Sequence, residues 1–392
     1  MNQPHGGKLI NRIATGDRKK ELEAKADSLL NITLEDRYGA DIEMIAIGAF
    51  SPLEGFMGKA DVQSVMDNMK LANGLAWGIP ILLPAGEYYD QIKVGDEVAL
   101  RDQSNRLLAV IKVEEKFELD MNELGQKCFN ATDENHPGLN AIKRGGNKFI
   151  AGPIEMINRP LRTDAIDDHY YKDPVDTRAE FEKRGWNTIV AFQTRNPIHR
   201  AHEYLVKCAM EIVDGAMIHP IVGETKADDI PAPVRMRCYE TLIDHYFNRD
   251  HTMLNVLATA MRYGGPREAI NHTLIRKNFG CTHMIIGRDH AGVGKYYGTY
   301  DAQKIMEKVG PEMGMNILKF ENTFWCVNTQ SMATEKTAPK DPEIVSLSGT
   351  KVRQMLAEGQ RPPQEFSRPE VADILIAWAT KKAEASKETT PA

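Results

Sequence analysis

From about residue 171 the chain alternates apolar runs of strand length with stretches of helical period, and this alternation restricts it to a sheet of mostly parallel strands. Parallel neighbours need a crossover connection, which a helix supplies. The spacing predicts strands over 188–193, 216–222, 253–259 and 282–287, and helices over 197–213, 234–247 and 265–279. Residues 1–170 read differently. Short apolar runs broken by turn signals, as in 78–84, 94–100 and 107–113, predict a β-rich unit with few helices, one over 60–71. Beyond 326 the pattern predicts helices over 349–358 and 368–382, and a polar, frayed end from Lys381. The expected division is 1–170, 171–325 and 326–392.

Two loops carry the chemistry. Gln193-Thr194-Arg195-Asn196-Pro197-Ile198-His199-Arg200-Ala201-His202 follows an apolar run and leads into a helical pattern. In an open α/β sheet that junction is where anions bind. Pro197 suits a first helical position and Asn196 the N-cap before it. His199 and His202, three apart, share one helical face. The second loop, Gly287-Arg288-Asp289-His290-Ala291-Gly292, follows the run 282–286. If the two strands are parallel neighbours, both loops open at the same sheet edge. An amide, two guanidiniums and several imidazoles gathered there suit phosphate or sulfate chemistry.

Composition narrows the classes. The 392 residues suffice for two or three cores, and a net charge of −6 offers no basic excess for nucleic acid. Five cysteines, at 128, 208, 238, 281 and 326, form no CxxC pair, which predicts free thiols in a reducing compartment, the cytoplasm. No signal peptide or membrane-length apolar run is read. The P-loop pattern GxxxxGK[ST] does not occur.

The motifs QTRNPIHRAH and GRDHAG together resemble the sulfate adenylyltransferases, or ATP sulfurylases. Further segments carry the resemblance along nearly the whole chain: 48–57, 229–235, 262–269, 347–353 and 365–370. The resemblance implies a PUA-like barrel in the N-terminal part, then a Rossmann-like nucleotidyltransferase domain and a small C-terminal α/β segment, without a fused kinase. It implies that sulfate attacks the α-phosphorus of ATP, giving adenosine 5′-phosphosulfate and pyrophosphate, or the reverse. Sulfate is already ionised, so the site must position anions and stabilise charge rather than remove a proton.

By the same resemblance, Gln193, Arg195 and the backbone of Ala291 bind sulfate. Thr194, Arg195, Asn196, His199 and His202 are catalytic. Gln193, Thr194, Arg195, Asn196, Gly287, Arg288, Asp289, His290 and Val327 contact ATP. Magnesium enters with the nucleotide, and no dedicated metal cage is read. Some bacterial relatives hold zinc after the catalytic domain; the matching positions here are Cys326, Thr329, Ala338 and Pro342, so no structural zinc is expected. A homo-oligomer is expected, with no nucleic-acid or membrane partner.

Plainer readings stand beside these. Asn196 could serve only as a cap, Arg288–Asp289 as a surface ion pair, and Ser348 as a helix cap. Lys226, Arg235, Arg262 and Arg267 line the anion site or are merely solvated. The alternative functions are another HxxH adenylyl- or cytidylyltransferase acting on a phosphorylated acceptor, and a PUA-like RNA-binding protein.

Overall fold

A computed structural model describes residues 1–162, 164–223 and 229–388. Lys226 therefore lies outside the described residues, as do the last four residues of the expected frayed end. The N-terminal part is built on a seven-stranded sheet: β1 (Leu30–Thr33), β2 (Gly55–Phe56), β3 (Leu83–Pro84), β4 (Glu97–Arg101), β5 (Leu107–Lys112), β6 (Glu115–Glu118) and β7 (Lys148–Met156). The long β7 organises it, pairing antiparallel with β2, β3, β5 and β6. Close backbone approach explains Gly152, where an added Cβ would lie 2.0 Å from the Lys112 carbonyl oxygen.

This part holds more helix than the sequence suggests: α1 (Gly16–Ala26), α2 (Asp36–Ala46), α3 (Lys59–Asn68), α4 (Met121–Phe129) and α5 (Pro137–Arg144). Most of α2 is buried, including Arg37, Asp41 and Glu43. Of the run 78–84, only Leu83–Pro84 joins the sheet.

The central part forms a five-stranded, wholly parallel sheet: β8 (Ile189–Thr194), β9 (Gly215–Pro220), β10 (Thr252–Leu254), β11 (His283–Ile286) and β12 (Asn316–Lys319). The order is β10-β9-β8-β11-β12. The chain winds outward from β8 to β10 and then returns to place β11 on the other side of β8. The β8/β11 junction is thus the switch point, where a crevice opens beyond the strand ends. Crossovers are α7 (Arg200–Met210), α8 (Ala232–Tyr246), α9 (Gly265–Asn278) and α10 (Asp301–Glu312), with α6 (Pro174–Lys183) preceding the sheet. The expected strand over 253–259 is shorter, and Leu257 makes only an isolated bridge to Ile221.

Helix α9 is buried on nearly all sides yet carries Glu268, Asn271, His272, Arg276 and Asn278. Several side chains of α9 satisfy backbone groups of the N-terminal part. Asn271 accepts from the amides of Gly78 and Ile79, Asn278 donates to the carbonyls of Ala49 and Ser51, and Arg267 donates to those of Val65 and Met66. Buried polar groups require such partners. The C-terminal part has a three-stranded antiparallel sheet, β13 (Phe324–Cys326), β14 (Ser331–Ala333) and β15 (Ile344–Val345), then α11 (Gly349–Ala357) and α12 (Pro369–Glu388). Ser348 caps α11 through the Lys351 amide, and α12 runs beyond the expected end at 382.

Candidate active site

A cavity of about 410 Å³ lies at the switch point. Gln193–Asn196, His199 and His202 form one wall, Gly287–Gly292 the other, and Glu321–Thr323 extend the rim. The two loops singled out in the sequence thus meet across the crevice.

The first loop does not enter its helix where expected. Asn196 is not the N-cap and Pro197 is not helical; α7 begins at Arg200, with His199 at the N-cap position. Tertiary contacts delay the start. The Thr194 hydroxyl accepts from the Asn196 amide (3.1 Å) and donates to the Asn196 carbonyl (2.9 Å), and the Tyr239 hydroxyl donates to that carbonyl (2.8 Å). The Arg200 amide, first in the helix, donates to the Phe366 carbonyl (3.0 Å). This leaves the side-chain amides of Gln193 and Asn196 at the cavity without a hydrogen bond among the described residues, suited to take oxygens of a ligand.

Arg195 is held in advance. Its Nη1 donates to the Tyr263 hydroxyl (3.2 Å), lies 3.6 Å from Asp229 Oδ2, and its guanidinium sits 5.0 Å from the Tyr263 ring centre. Burial raises the Tyr263 hydroxyl to about 12, so it stays a neutral partner. The Asp229 contact exceeds a good hydrogen-bond length, so an oxyanion can displace it.

The His199 and His202 rings lie tilted against each other with centres 3.9 Å apart, and Phe366 stacks on His199 at 5.2 Å. Burial lowers His199 to about 4, and burial together with the His199 charge holds His202 well below its ordinary value. Both rings are neutral near pH 7. Desolvation is the first cause for both. A neutral imidazole still donates one N–H, and His202 Nδ1 is buried without a partner.

On the second wall, Arg288 donates to Asp289 (3.2 Å) and to Asn322 (3.0 Å) at the exposed rim. The plain ion pair therefore exists, but on the cavity lining. Asp289 (φ 52°) and Ala291 (φ 53°) adopt left-handed backbone that non-glycine residues seldom take. The turn is fastened by Asp289 N–H to Thr299 O and by Gly265 N–H to Ala291 O. The Ala291 amide makes no hydrogen bond among the described residues, as an oxyanion donor requires. Gly287 faces open space: a Cβ there would meet no atom within 4 Å.

Other expected residues fall elsewhere. Val327 lies in the turn after β13, where its amide donates to Glu343 O, and is not in the cavity lining. Arg235 is buried on the carbonyls of Ile221 and Ile230, Arg262 on Asp41, and Arg267 on the N-terminal part; these are structural contacts. Among the described residues no group of three or more His, Cys, Asp or Glu is arranged to hold a metal ion.

Comparison with known proteins identifies the family. The ATP-sulfurylase family model matches residues 168–378, and a PUA-like domain model matches 2–159. A sulfate adenylyltransferase of Persephonella marina is 58% identical over 385 residues, covering 97% of this chain and 100% of the relative. The chain belongs to the sulfate adenylyltransferase family. A family member from a Synechococcus strain is 52% identical, with 95% of each chain covered. In fold, the chain resembles a solved structure titled hexameric APS kinase from Thiobacillus denitrificans, with a TM-score of 0.75 at 24% identity, covering 100% of this chain and 69% of that one. The PUA-like and parallel-sheet expectations hold. As in its relatives, the chain's function is that of a nucleotidyltransferase. Among the described residues no helix is long and apolar enough to cross a membrane. Sequence reasoning missed the residues that support the cavity wall: Asp229 and Tyr263 beside Arg195, Tyr239 under Asn196, and Phe366 against His199. Asp229 and Tyr263 lie in segments that carry the resemblance, but nothing local marks their contact with Arg195.

Proposed function

We propose that the switch-point cavity binds magnesium-ATP and sulfate together, and that sulfate oxygen attacks the α-phosphorus in line while pyrophosphate leaves. The observation that carries this reading is the convergence of Arg195, the Ala291 amide and the paired His199 and His202 rings on one cavity. Arg195, Gln193 and the Ala291 amide hold the sulfate. The guanidinium fork and the amides supply fixed donors that need no reorganisation as the reaction proceeds. Thr194 and Asn196 shape the turn that sets Arg195. Neutral His199 and His202 donate N–H to charge growing on the departing pyrophosphate. Gly287 leaves room for the nucleotide, with Arg288, Asp289 and His290 along its edge. Magnesium comes with the triphosphate as part of the substrate and shields its charge. ATP binding, a cytoplasmic setting and assembly into a homo-oligomer belong to the same reading and rest on the family likeness.

A tetrahedral-anion subsite should accept molybdate, whose mixed anhydride with AMP hydrolyses. Enzyme active with sulfate should release AMP and pyrophosphate continuously when molybdate replaces it. No molybdate-dependent AMP release from such enzyme would contradict a preformed subsite.

A further inference from the structure

Behind the second loop a chain of polar side chains runs from buried α9 to the cavity. Glu268 Oε1 accepts the Arg262 amide (2.8 Å) and Oε2 the Gly264 amide (2.9 Å). His272, one turn along α9, places Nε2 3.4 Å from Glu268 Oε1, and its Nδ1 lies 3.1 Å from His290 Nε2. Glu268 and His272 are each 2% exposed, whereas His290 lines the cavity. His290 Nδ1 makes no hydrogen bond among the described residues.

We infer that Glu268 and His272 are positioning residues that fix the tautomer of His290, so that His290 offers its bare Nδ1 to the cavity as an acceptor for an N–H or O–H donor of the nucleoside. This rests on the reading that the cavity takes ATP. The direction follows from donor counting. A carboxylate only accepts, so His272 Nε2 carries a hydrogen. A neutral His272 then has Nδ1 as acceptor, so His290 Nε2 carries the next hydrogen. The last nitrogen, His290 Nδ1, is left with a lone pair. Adding one proton to His272 would reverse the chain and turn His290 Nδ1 into a donor. Burial, the first cause for each ring, opposes this and lowers both histidines, His290 to about 3. Arg262 and Arg276 also disfavour a charge on His272, and only Glu268 favours it. A bare nitrogen repels phosphate oxygens. It suits the adenine amino group or a ribose hydroxyl, and so would read the nucleoside while the arginines hold anions.

Two measurements test this. In protein labelled with ¹⁵N-histidine, with His290→Asn to assign signals, His272 and His290 should both be Nε2–H tautomers at neutral pH. A protonated or Nδ1–H His290 would overturn the proposal. In equilibrium binding without sulfate, one of three analogues should bind wild type roughly five- to tenfold more weakly than ATP. The analogues are purine riboside triphosphate, 2′-deoxy-ATP and 3′-deoxy-ATP, and the one that fails names the donor. His272→Leu should abolish that discrimination and raise KM for ATP more than it lowers kcat. His272→Gln, able to donate to Glu268 and accept from His290, should restore it. Equal binding of all three analogues by wild type, or discrimination surviving in His272→Leu, would refute the idea. If His272→Leu fails to fold, the wild-type tautomers decide. Neither tautomers nor affinities need turnover, so loss of the sulfate reaction itself would show separately.

Discussion

On the proposed reading Arg195 is the residue on which the chemistry turns: it lines the cavity, and its contacts are to the side chains of Tyr263 and Asp229. Arg195→Ala should lower sulfate-dependent kcat by at least about 10²-fold, the cost of losing one oxyanion donor. The melting curve should stay near wild type. Arg195→Lys should fail to restore the rate, since a point charge lacks the planar fork. A variant keeping more than about a tenth of the rate would exclude this role. His199→Ala and His202→Ala should each lower kcat more than they raise KM for ATP, in both directions, because forward and reverse share one transition state. Normal kcat with weaker ATP binding would assign the pair to holding nucleotide only. Because burial keeps both rings neutral, kcat should show no limb near pH 6.5. At this scale the cavity-lining residues of two contiguous motifs were legible, because their chemistry is specific and local. Their supports were not: Phe366 reaches His199, and Tyr263 reaches Arg195, only through tertiary packing.

Element by element, the strand–loop–helix junctions after β8 and β11 set the geometry. The strands were readable as apolar runs, but the start of α7 was misplaced by three residues. Asn196 and Pro197 carry the local signature of a helix start, and the bonds from Thr194, Tyr239 and Phe366 override it. Helix α2 starts without a side-chain cap and escaped notice, whereas α9, also buried, was flanked by glycine and proline signals at its start. Gly287 offers a test at this scale. Its Cβ would enter open space in the cavity, and its φ is not left-handed, so Gly287→Ala should fold with unchanged melting temperature. It should raise KM for ATP several-fold if the nucleotide approaches that backbone as argued. Wild-type KM in this variant would place the nucleotide elsewhere.

Across the whole molecule, the parallel sheet was legible from alternation alone, but the strand order was not, because pairing of β11 beside β8 is a long-range choice. That order is what joins the two motifs. The burial that shapes the site also sets an acid limit. His5 and His199 are lowered from 6.5 to about 4, and His290 to about 3, each first by burial. Between 6.5 and those values the unfolded chain binds protons that the folded chain does not. The stability these groups contribute is therefore complete above 6.5 and lost as pH falls, by about 1.4 kcal/mol per unit for the buried His5 ring and by less for His199 and His290, which line the cavity. Calorimetry should show the melting temperature falling by about 5 °C or more between pH 7 and pH 5; a flat profile would mean these rings charge freely in the fold. The central claim concerns one cavity that brings ATP and sulfate together, and isotope exchange reaches it most directly. Labelled pyrophosphate should enter ATP only when sulfate and magnesium are present, and about 10²-fold more slowly or less in Arg195→Ala. Exchange that proceeds without sulfate, or that requires a phosphorylated acceptor in its place, would contradict the account.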